Sequence, residues 1–95
     1  PYINYDKIFI TNQVMMITGV QIRAARGALG WSVKNLSDRS GVATATIVRY
    51  EEIVGVPKTR KGNLDLIVNA LSQAGIEFIG TPDDRPGIRI GKPKS

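Results

Sequence analysis

SVKNLSDRSGVATATIVRYEE, residues 32–52, reads as two short helices on either side of a glycine. Ser32 is a residue whose hydroxyl accepts from the free amides at a helix start. Val33, Leu36 and Ser40 then recur at i, i+3 and i+7, and Lys34, Asn35, Asp38 and Arg39 point outward, so the first helix has about two turns. Gly41 stands where a helix-ending residue takes positive φ, which glycine does without a Cβ penalty. Val42, Ile47 and Tyr50, with Val54 beyond them, make a second apolar stripe and predict a new helix from Thr44. Ser37 is small where the two helices cross. The opposite face of the second helix carries Thr44, Ala45, Thr46, Val48 and Arg49, all short except the arginine.

With Ser37, Gly41, Val42, Ala43, Ile47, Tyr50 and Glu51 in this order, the stretch resembles the helix-turn-helix of the Cro and lambdoid phage repressor type, the XRE-like DNA-binding regulators. The resemblance runs over residues 18–75. It departs at Val33, where that family often has glutamine on a phosphate, and at Ala43, where it has a Ser or Thr cap worth roughly 1 kcal/mol. The resemblance implies a mainly α fold with a compact four-helix domain over these residues, and the β-like runs beyond it add a short C-terminal β-hairpin or β strands. It also implies a partly buried, structural ion pair between Arg26 and Glu51.

Outward from the motif, residues 18–29, TGVQIRAARGAL, predict a helix capped by Thr18 with Ile22, Ala25 and Leu29 inward. Gly27 inside it costs about 1 kcal/mol relative to alanine and suggests close helix packing. Residues 53–63 read as a loop holding Lys58, Arg60 and Lys61. Asn63 is the expected cap of a further helix, with Leu64, Ile67, Val68 and Leu71 buried and Gly75 at its end. IEFI (76–79) and GIRI (87–90) predict strands around a long turn, a hairpin that must pack on the last helix or pair with another chain. Asp83 and Asp84 read as turn residues, not as a metal or catalytic pair. Residues 92–95 are expected to be a frayed end of the tail. Residues 1–15, with β-formers from Tyr5 to Thr11, are an extension, either poorly ordered or one added strand on the hairpin or on a second copy; Met15 and Met16 are both candidate start residues.

Ninety-five residues suit one small domain, divided here into 1–15, the helical 16–75, the β segment 76–90 and the tail 91–95. The absence of cysteine and histidine removes disulfides, zinc ribbons, the commonest general base and the commonest metal ligand. No Walker loop, dinucleotide fingerprint or nucleophile elbow is present, so neither an enzyme nor a cofactor or metal site is expected. The apolar runs are too short for a membrane span or secretory segment, which points to the cytoplasm. A net charge of +5 points to an anionic partner, and residues 18–75 hold eight bases (Arg23, Arg26, Lys34, Arg39, Arg49, Lys58, Arg60, Lys61) against four acids (Asp38, Glu51, Glu52, Asp65).

The expected mechanism inserts helix 44–52 into the major groove of double-stranded DNA. Thr44, Ala45, Thr46 and Arg49 would contact bases, Arg49 through guanine O6 and N7. Ser32, Lys34, Lys58, Arg60 and Lys61 would hold phosphates; about five neutralised phosphates imply a log–log salt slope near −4.5. Because one domain covers little DNA, a homodimer on an inverted-repeat operator is expected, acting as a transcriptional regulator, chiefly a repressor. Two alternatives share the fold: an antitoxin whose β segment or tail grips a toxin partner, and a protein-interaction adaptor without DNA binding.

Overall fold

A computed structural model describes residues 16–59 and 62–94. Among them, four helices, α1 (Gly19–Leu29), α2 (Val33–Ser40), α3 (Thr44–Glu51) and α4 (Asn63–Gln73), precede an antiparallel pair of strands, β1 (Ile76–Thr81) and β2 (Asp84–Ile90). The fold is mainly helical, as the apolar spacing predicts.

Local chemistry sets most of the helix ends. At α1 the Thr18 hydroxyl accepts from the Gln21 amide at 3.0 Å, while the Gln21 side-chain oxygen accepts from the Thr18 amide at 2.9 Å. At α2 the same reciprocal arrangement joins Ser32 and Asn35, at 3.0 and 2.9 Å. Gly41, at φ 82°, ends α2 and its amide donates to Ser37 at 2.9 Å. α3 begins after Ala43, which has no side-chain acceptor to offer, so the helix has no side-chain cap.

The helices bury one stripe each. Ile22 and Ala25 of α1, Leu36 of α2, Ile47 and Tyr50 of α3, and Ile67 and Leu71 of α4 meet in one core with Val42 and Ile76, and Leu29, Val33, Leu64, Phe78 and Ile88 pack around it. Burial of each large aliphatic side chain contributes about 1.5–3 kcal/mol. The buried phenol of Tyr50 is also satisfied, since its oxygen accepts from Asn63 Nδ2 at 3.1 Å, tying α3 to the start of α4.

Several expectations need correction. Val54 does not extend the α3 stripe: the helix ends at Glu51 and Val54 is 78% exposed. Asn63 is not the cap of α4; Gly62 holds that position and the Asn63 amide is committed to Tyr50. Gly27 marks no close packing, because a methyl there would meet open space. The close approach is at Gly19, where a Cβ would lie 2.1 and 2.2 Å from the Ile53 and Tyr50 carbonyl oxygens. The strands are longer than expected and the turn shorter, with Pro82 and Asp83 between them and an irregularity between Ile79 and Thr81. The hairpin is held by α1 as well as by α4: Gln21 Nε2 donates to the Gly87 carbonyl at 2.9 Å and the Ile79 carbonyl at 3.3 Å. Up to Lys94 the tail is tied down, not frayed, because the Gly91 amide donates to Gly75 and the Lys94 amide to Gln73, each at 2.8 Å; Ser95 lies outside the described residues. The expectations for residues 1–15 lie outside the described residues.

Candidate nucleic-acid interface

α3 is the element on which the candidate site is built. Its buried side is fixed by Ile47 at 0% and Tyr50 at 2% exposure, which leaves Thr44, Ala45, Val48 and Arg49 facing solvent. Thr46 stands half-buried at the edge of that face, turned further from its centre than the sequence suggests.

Besides this packing, one guanidinium ties α3 to the rest of the fold. Arg26, in the last turn of α1, donates from Nε and Nη2 to the two carboxylate oxygens of Glu51, at 2.9 and 2.8 Å, and from Nη1 to the Trp31 carbonyl at 2.9 Å. One side chain thus joins α1, the link into α2, and the end of α3. A lysine carries its donors on one nitrogen and lacks the planar fork that spans these partners. The Glu51 side chain is 8% exposed and that of Arg26 21%, so the pair is partly buried, as the family resemblance implies. Hydrogen bonding to Glu51, and then the Glu51 charge, raise the Arg26 pKa above its already high ordinary value against the opposing effect of burial.

The expected phosphate contacts are distributed unevenly. Ser32 spends its oxygen on the α2 cap, which leaves its O–H free to donate. Lys34 is exposed but already bonded to Asp38, one helical turn away, at 3.0 and 3.2 Å. Between exposed partners such a bond is weak, about 0.3–0.5 kcal/mol, and exchanges readily for a phosphate. Lys58 and Arg49 come together on the rim of one open groove of about 360 Å3, floored by Tyr50, Ile53, Val56 and Pro57. The proposed contacts of Arg60 and Lys61 lie outside the described residues.

Two features escape the sequence reading. The Arg39 guanidinium lies 4.5 Å over the centre of the Trp31 ring, and Arg49 rests 5.7 Å from the centre of the Tyr50 ring. The signal for the first was a spacing of two helical turns carried across the Ser32 cap; the second follows from adjacency alone. Both cations lean on aromatic faces in the free protein, an attraction of about 0.5–1 kcal/mol at exposed sites, which holds them against the surface while leaving them able to move.

Among the described residues no group of three His, Asp or Glu side chains is placed to hold a metal ion, and no helix is long and apolar enough to cross a membrane. No protein-family model matches the chain, and no curated protein sequence is similar to it.

Proposed function

We propose that this chain is a sequence-specific, double-stranded-DNA-binding transcriptional regulator of the XRE-like type, acting as a cytoplasmic repressor and as a homodimer on an inverted repeat. The observation that carries the reading is the exposed face of α3. A row of short side chains, Thr44, Ala45 and Val48, beside one guanidinium, Arg49, is left open to solvent on a helix whose other side is anchored by Ile47, Tyr50 and the Arg26–Glu51 pair. Short side chains let a helix backbone approach base edges closely, and an arginine is the residue that reads guanine through two parallel hydrogen bonds. The α2 helix and the basic loop after α3 then lie beside the phosphates, where they fix register without reading sequence.

Selection from a pool of random duplexes, followed by the same selection with Arg49→Ala, tests this. The wild-type chain should enrich a two-fold symmetric site. The variant should lose discrimination at one base position of each half-site by roughly 1–3 kcal/mol while keeping its nonspecific binding. An unchanged base preference in the variant removes Arg49 from the site. Weak binding indifferent to sequence would instead favour a protein-interaction role.

A further inference from the structure

We infer that Val48 is a specificity-determining residue that, with Ala45 and the Thr44 methyl, reads thymine methyl groups on neighbouring base pairs. The inference rests on the proposed DNA-binding function and names what that face recognises.

Val48 is a branched apolar side chain left 44% exposed on α3. A single exposed aliphatic residue is ordinary on a protein surface. Its position here is not. At about 100° per residue, Thr44, Val48 and Ala45 fall in that order within roughly 100° of arc, so Val48 lies between the other two on the exposed face, with Ala45 opposite the buried Ile47 and Tyr50. Thr46 falls on the far side of the arc, and it is the residue the fold half-buries. The exposed face therefore presents three methyl-bearing side chains in a patch, and none of the three carries a charge.

Geometry then limits what such a patch can read. Donors and acceptors on base edges require a polar partner, which Ala45 and Val48 lack. The one apolar feature of the major groove is the C5 methyl of thymine. Ala45 and Val48 are separated by about 4.5 Å along the helix axis, comparable with the roughly 3.4 Å step between stacked base pairs, so with α3 running along the groove they would meet neighbouring pairs. Arg49 follows directly and swings off the Tyr50 ring to take a guanine. The half-site this predicts has adjacent thymines beside a guanine.

Replacing thymine by deoxyuridine removes the methyl and leaves base pairing intact. In the duplex enriched by the full-length chain, each thymine is replaced in turn and the affinity measured. Loss of one buried methyl should weaken binding about fourfold. Two adjacent positions per half-site should show this loss, and in Val48→Ala the loss at one of them should disappear while the other persists. The inference is overturned if uracil is tolerated at every thymine, or if Val48→Ala leaves both losses unchanged, even though a specific duplex is bound and Arg49 discriminates. If no duplex is enriched at all, the DNA-binding reading falls and this inference with it.

Discussion

Arg26 shows how much of this molecule hangs on one side chain. All three of its guanidinium nitrogens are engaged, on the two Glu51 oxygens and the Trp31 carbonyl, so no shorter or unforked cation replaces it. Arg26→Met keeps the apolar stem but strands a carboxylate that is 8% exposed. Leaving such a charge unpaired costs about 3–5 kcal/mol, and the variant should lose about 3 kcal/mol in urea unfolding, the lower end because Arg26 itself is partly solvated. A loss below about 0.5 kcal/mol would show that the pair is idle and that α3 is held by packing alone. The pH dependence has a definite sign. Because the folded state raises the Arg26 pKa, its contribution is complete below the ordinary arginine value and is lost only as pH rises through the raised one, in strong alkali. Acid or alkaline weakening near neutrality therefore does not come from Arg26.

At the scale of elements, α1 carries two glycines with opposite meanings. Gly19 lets the start of α1 touch the chain just after α3, since its amide donates to the Gly55 carbonyl at 2.9 Å and a Cβ would collide with two backbone oxygens. Gly27 faces open space inside the same helix. Gly27→Ala should therefore stabilise by up to about 1 kcal/mol, and Gly19→Ala should destabilise by about 1–3 kcal/mol or more, because backbone must move. Paired thermal melts check both; equal effects would mean that α1 does not pack on the α3 exit as described. The pair also shows what the sequence could disclose. The stripes of α2, α3 and α4, the Gly41 bend and the Ser32 cap follow from periodicity and backbone preference, which are local, and all were legible. The glycine that packs closely, the double use of Gln21 as α1 cap and hairpin clamp, and the anchoring of the tail at Gln73 depend on residues far apart in the chain, and no spacing rule reports them. For the site, the exposed α3 face was legible because it is the complement of the buried stripe. The half-burial of Thr46 was not, since it depends on how far α3 rolls against its neighbours.

At the scale of the whole molecule, the proposed DNA-binding function raises the question of how many copies would meet the duplex. The described fold measures 41 × 29 × 24 Å, and its two longer dimensions bracket the roughly 34–36 Å that separates half-sites one DNA turn apart. On the proposed function, two copies side by side would be of a size to reach successive major grooves on one face of the duplex without a linker. Phosphate contacts make this countable. Of the expected phosphate contacts, Ser32 donates a hydrogen bond but neutralises nothing, which leaves Lys34, Lys58, Arg60 and Lys61 as the charged ones in each copy. Each neutralised phosphate contributes about −0.9 to the slope of log affinity against log salt, so one copy should give about −3.6 and a symmetric pair about −7. Lys58→Gln provides the internal standard, because it sits exposed on the groove rim and no described residue forms a salt bridge with it. In a two-fold complex every substitution is made twice, so the slope should flatten by about 1.8; in a complex with one copy it should flatten by about 0.9. A slope unchanged by Lys58→Gln would take that lysine off the backbone, and with it the orientation that places the Thr44 end of α3 in the groove.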